Sequence, residues 1–187
     1  MRLSHFSEDP GIGLFEPRPV KVPSARPAGQ AWLNGPLVWA IDEAHERLYL
    51  FPRECPRILL WRTAATTASD ADAWFSGSPA TTLAFVENAW SERLSATTIF
   101  RYDFEPSGFE DLRDVGMWVS RVAVRPIGVE AITDLPGELR KRQVELRFVD
   151  SLLPMRGVWG ASLHASGIRL RNAHGWGEPG WPHSRPL

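Results

Sequence analysis

The chain has 187 residues, one cysteine, 43% hydrophobic residues, and 21 basic against 22 acidic side chains for a formal net charge of -1. That size holds one domain, and the balance excludes intrinsic disorder, a fibrous chain and a general electrostatic grip on nucleic acid or anionic lipid. Cys55 alone excludes an internal disulfide framework and a Cys-based structural zinc site, and no apolar run reaches membrane-spanning length.

The start Met1-Arg2-Leu3-Ser4-His5 lacks the apolar stretch of a secretory leader, so a cytoplasmic location is expected. Arg2 to Ser7 alternate weakly and meet Glu8-Asp9-Pro10-Gly11, which predicts a short strand closed by a turn, with His5 near its end. From Pro17 to Pro36 the prolines and glycines, with little apolar periodicity, predict a long irregular loop of the kind that serves as a lid. Leu37-Val38-Trp39-Ala40-Ile41 reads as a strand buried on both faces. Asp42 then caps a predicted helix through Phe51, with Ala44, Leu48 and Phe51 on one face, His45 and Tyr49 on another, and Pro52 as the stop.

Ile58 to Trp61 is a second buried strand, followed by a small-residue stretch and a helical turn at Asp70 to Phe75. Leu83 to Val86 reads as a strand or a helix start, and Glu87 to Leu94 as helix. Thr98 to Phe104 alternates cleanly, with Phe100, Tyr102 and Phe104 on one face and Ile99, Arg101 and Asp103 on the other. Met117 to Val124 and Ile127 to Ile132 are two strand pieces separated by Pro126, which cannot donate to a central ladder. Thr133 or Asp134 caps a helix that carries Glu138 and Arg142 four residues apart, and Val144 to Val149 returns as a strand. Leu152, Met155, Trp159 and Leu163 then predict a last helix, stopped by Gly167, in which Gly157 and Gly160 permit close packing. The pattern describes one α+β domain over 1–173, a curved and mainly antiparallel sheet with a few short helices, and an irregular C-terminal tail over 174–187.

No phosphate loop, dinucleotide fingerprint, zinc-protease helix or nucleophile elbow is present. The histidines at 5, 45, 164, 174 and 183 have no metal-ligand spacing, so no metal is expected. The densest polar run, Tyr49 to Arg57, sets Arg53, Arg57 and Cys55 among Pro52 and Pro56. Prolines preorganise such a segment, and two guanidinium groups suit a pyrophosphate; the same arginines serve equally well as ion-pair partners for Glu54. Cys55 acts as a nucleophile only if His45 or an arginine stabilises its thiolate, and is otherwise an inert buried thiol. Phe100, Tyr102 and Arg101 suggest a stacking platform for single-stranded nucleic acid, but their alternation divides them between two faces and favours core over platform.

The arrangement of His5 in a first strand, Val38-Trp39-Ala40, and Leu48-Tyr49-Leu50-Phe51-Pro52-Arg53 resembles a family of bacterial domains of unknown function over most of 1–173. More remotely it is similar to the ADP-ribosyltransferase fold, especially its DNA-modifying toxin branch. That resemblance implies NAD as cosubstrate and transfer of ADP-ribose to an acceptor the sequence does not name. On it, His5 binds the nicotinamide ribose, Tyr49 lines the pocket, Arg53 holds the pyrophosphate, and Glu130 stabilises the oxocarbenium character of the breaking glycosidic bond. Glu87 and Glu145 are rivals for the carboxylate role, and a noncatalytic ligand- or protein-binding domain is the alternative to an enzyme.

Overall fold

The elements, in chain order, are β1 (Leu3–Ser7), β2 (Val38–Asp42), β3 (Arg57–Trp61), α1 (Ala68–Phe75), β4 (Thr82–Glu87), α2 (Ser91–Ala96), β5 (Ile99–Phe104), β6 (Glu110–Asp111), β7 (Met117–Ser120), β8 (Gly128–Ile132), α3 (Leu135–Lys141), β9 (Val144–Val149) and β10 (His164–Ile168). This computed structural model describes residues 1–177, so 178–187 of the expected tail lie outside the described residues. The class is α+β with mainly antiparallel pairing and short helices, as the patterning predicts. The strands divide between two sheets, each in its own compact unit: Met1–Tyr49 with Thr98–Thr133, and Leu50–Thr97 with, among the described residues, 134–177.

The first unit holds an antiparallel sheet in the order β6-β7-β2-β1-β5-β8. The alternation of β5 sorts its side chains as read: Tyr102 and Phe104 join Leu3, Val38, Ala40 and Phe15 in one core cluster, while Arg101 and Asp103 turn to the other face. The Tyr102 hydroxyl donates to the Asp9 carbonyl at 2.6 Å and accepts from the Ile12 amide at 3.1 Å, which ties the turn after β1 down over that core. Tyr102 is therefore core and not a base-stacking platform. The segment after Asp42 is not the predicted helix: only Glu46–Leu48 makes a 3-10 turn. The Asp42 carboxylate accepts from both the His45 amide (2.9 Å) and His45 Nδ1 (2.7 Å), the contact a helix cap makes, but the chain leaves helical geometry after the single 3-10 turn. Gly116, at φ +71°, covers this pair; a Cβ there would come 2.6 Å from Asp42 Oδ1.

In the second unit the order is β10-β3-β4-β9, antiparallel except for the parallel pair β4 and β9. Thr67 caps α1 by accepting from the Asp70 amide (3.2 Å), and Asp134 caps α3 by accepting from Gly137 (2.9 Å). The last predicted helix does not form. Pro154 has no N–H to give, Gly157 and Gly160 weaken a helix, and the chain makes 3-10 turns over Leu153–Gly160 before extending into β10 against β3. The close approach falls at Gly167, not at Gly157 or Gly160: a Cβ on Gly167 would meet the Trp159 ring at 3.0 Å, whereas the other two have nothing within 4 Å. Packing continues past 173, since Trp176 is fully buried in a cluster with Ile58, Leu60, Phe75 and Leu170.

Candidate functional site

Cross-strand register brings together what spacing alone does not. In the first unit Phe6 on β1 pairs with Arg101 on β5, and Arg101 pairs with Glu130 on β8, so these three side chains form one row on one face of the sheet. Tyr49 reaches the same row: its ring is parallel to Phe6 within 9° at a centroid distance of 6.4 Å, and its hydroxyl donates to Met117 Sδ at 3.4 Å. Glu130 is 60% exposed and its Oε2 accepts from Arg101 Nη2 at 2.6 Å. The Arg101 guanidinium, only 11% exposed, is anchored from beneath by Asp103, Nε to Oδ1 at 2.9 Å. Its burial favours deprotonation, but the Asp103 hydrogen bond and the charges of Asp103, Glu130 and Glu46 outweigh that and hold it firmly cationic. Asp103 also accepts from the Ser4 hydroxyl at 2.9 Å, and buried Glu46 accepts from Arg2 at 2.9 Å, so the row sits on an ordered polar floor.

His5 is next to Phe6 and so points to the opposite face, where its ring lies 5.0 Å from Phe15. Its Nδ1 is 2.9 Å from the Trp39 carbonyl; a carbonyl only accepts, so Nδ1 carries the proton. The β1 to β2 ladder ends at Ser4, and the His5 side chain takes the place of the next rung. Arg53 belongs to the second unit, where it is exposed and its carbonyl accepts from Arg169 Nε at 3.2 Å. Of the four residues singled out for an NAD site, Tyr49 and Glu130 thus share a face, His5 lies on the reverse of that sheet, and Arg53 is in the other unit.

The rival carboxylates are committed elsewhere. Glu87 is buried and accepts from the main-chain amides of His174 (3.0 Å) and Leu152 (3.4 Å). Glu145 accepts from Arg147 Nε at 2.7 Å and from the Ser78 hydroxyl. Arg57 does not join Arg53 in a fork: it is buried, donates to the Cys55 carbonyl at 2.9 Å and lies over the Phe51 ring at 4.8 Å. Glu54 instead pairs with Arg171 at 3.0 Å and accepts from Asn172. Phe6 is not among the residues singled out from the sequence, and Arg101 is named there only for a nucleic-acid platform, not for this row. The β5 alternation already set Arg101 apart from Tyr102, but nothing in one sequence gives the register that aligns it with Phe6 and Glu130.

Cys55 is fully buried, and burial pushes its thiol up to about 12 against the lowering effect of Arg57 and Arg93. It is a core thiol, not a nucleophile. A disulfide reagent such as DTNB is expected to label it at least about 1000-fold more slowly in the native chain than in urea. Unfolding exposes a thiol that ionises near ~8.5 and so releases a proton above that pH. Stability from this group is therefore complete below about 8.5 and is lost as pH rises toward about 12. Cys55→Ala should flatten that alkaline slope in urea titrations; an unchanged slope, or rapid native labelling, would show the thiol to be open.

Among the described residues no three His, Cys, Asp or Glu side chains are grouped to hold a metal ion, and no helix is long and apolar enough to cross a membrane. No curated protein and no solved structure matches the chain. A family model described as a family of unknown function, DUF6886, matches residues 4–173, and the chain belongs to that family.

Proposed function

We propose that this protein binds NAD on the face of the first unit's sheet that carries Tyr49, Phe6, Arg101 and Glu130, and transfers ADP-ribose from it in the manner of the ADP-ribosyltransferase fold it resembles. The observation that carries this reading is the cross-strand row: a half-buried aromatic pair, a guanidinium and an exposed carboxylate, in that order on one face. With strands about 4.8 Å apart, Phe6 and Glu130 stand roughly 10 Å apart across the sheet. A nicotinamide ring laid on Tyr49 and Phe6 would direct its ribose toward Glu130, whose ionised carboxylate stabilises positive charge as the glycosidic bond breaks. Arg101 touches no reacting atom in this scheme; it orients Glu130, as Asp103 orients Arg101. His5 serves the same site from behind by holding β2 to β1. Only residues of the first unit enter this site.

Calorimetric titration with NAD and a nicotinamide-release assay test the reading. The wild-type chain should bind saturably; Tyr49→Ala should weaken binding about tenfold, the loss of an aromatic stack. Glu130→Gln should bind within about twofold of wild type and release nicotinamide roughly 100-fold more slowly. Absence of saturable binding at millimolar NAD, or full turnover by Glu130→Gln, would sink it. The noncatalytic alternative has one observation in its favour, the apolar side chains Ile127 and Val129, 69% and 56% exposed at the sheet edge made by β8, which has no outer strand neighbour among the described residues.

A further inference from the structure

A groove of about 600 Å³ in the second unit belongs to no part of that site. It is lined by Glu145 from one face of β9 and by Leu146 and Phe148 from the other. Residues of β9 line it and none of β4 do, so it opens on the side of β9 away from β4. The opposite edge of β9 is taken by β4 along its whole length, from Thr82 with Val144 to Glu87 with Val149, so the groove lies along the outer edge, where β9 has no strand neighbour among the described residues. Pro79, just before β4, and Pro136, in the first turn of α3, line it further with conformationally fixed rings.

Charge in the groove is unbalanced. Glu145 is already engaged by the Ser78 hydroxyl and by Arg147, whose hydrogen bonds hold its carboxyl below the usual carboxylate range. Arg140 lines the groove, is exposed, and its guanidinium has no partner among the described residues. Phe148, 39% exposed on an edge strand, is an apolar surface of the kind that natural sheets cover or blunt.

The geometry points to a docking site for an extended acidic peptide, which adds to β9 as a fifth strand, sets apolar side chains against Leu146 and Phe148, and offers a carboxylate to Arg140. Main-chain hydrogen bonds would supply affinity, and the alternating side chains and Arg140 selectivity. The six residues of β9 span about 20 Å, enough to register a short segment. A second copy of this chain would bring the same Arg140 and a Glu145 already paired with Arg147, and so no unpaired carboxylate from that edge, which favours an acidic peptide over a dimer.

Fluorescence anisotropy on the full chain tests this with a labelled, end-blocked hexapeptide of alternating valine and glutamate. Saturable binding is expected, with at least a tenfold loss for the valine–lysine analogue, for an analogue N-methylated at alternate amides, and for the Arg140→Glu variant, with Phe148→Thr as a second variant at the apolar wall. Amide shift changes should concentrate in 144–149. Equal binding of the lysine or N-methylated peptides would overturn the proposal, as would no saturation at millimolar peptide. Concentration-dependent dimers by light scattering that Phe148→Thr abolishes would also overturn it, because the edge would then belong to a second copy. Neither variant touches the Tyr49 and Glu130 face, so NAD binding should be unchanged by both.

Discussion

Trp176→Ala is expected to lower the unfolding free energy by about 3–5 kcal/mol, the range for emptying a large aromatic from a packed core. The ring is fully buried and packs with Ile58, Leu60, Phe75 and Leu170; the Trp159 ring stands 6.1 Å away and Arg156 lies over it at 4.7 Å. Arg156 also donates to the Trp176 carbonyl at 3.2 Å, so one side chain holds both the ring and its backbone. The indole N–H has no acceptor among the described residues, which offsets part of the gain from burial and keeps the expected loss within that range. For a chain of this size the loss corresponds to a fall in melting temperature of roughly 6–20 °C. Urea unfolding of the full chain gives the number directly. A loss below about 1 kcal/mol with an unchanged slope would mean that the ring does not occupy the core. Removal of everything after Ala173 should cost at least as much, although the family match ends at residue 173.

That expectation could not have come from the sequence. His174 to Leu187 alternates Gly, Pro, Trp and His with no period, and aperiodicity says only that no regular element forms, not whether a single side chain is swallowed by a core. Where burial follows a period, the sequence sufficed: β5 sorts Tyr102 and Phe104 from Arg101 and Asp103 because one face is core and the other is not. Helical spacing misled twice, after Asp42 and after Ser151. In each place the apolar residues are at helical intervals but only 3-10 turns form; in the second, Pro154 and two glycines oppose the helix. The candidate site was half legible. Tyr49 and Glu130 could be named from residue type and resemblance, whereas their common row with Phe6 and Arg101 depends on strand register, which is decided by long-range pairing.

Glu87→Ala is expected to cost about 3 kcal/mol, and the reason is structural rather than catalytic. The carboxylate ends β4 inside the second unit and accepts from His174 N with both oxygens, at 3.0 and 3.2 Å, and from Leu152 N at 3.4 Å. Truncation leaves two main-chain donors without their acceptor in a buried place, each worth about 1–3 kcal/mol. Glu87→Gln keeps Oε1, which serves both donors, and should cost only about 1 kcal/mol. A glutamine variant as damaging as alanine would mean that the charge, not the acceptor, matters. His174 is two residues from Trp176, so Glu87 pins the strand of chain that carries the ring. The losses from Glu87→Ala and Trp176→Ala should therefore overlap: once the ring is gone, the amide it held in place can turn to water, and the double variant should be more stable than the sum of the singles by at least about 1 kcal/mol. Simple additivity in that cycle would separate the two and leave the His174 hydrogen bond as a local contact with no part in seating the tryptophan.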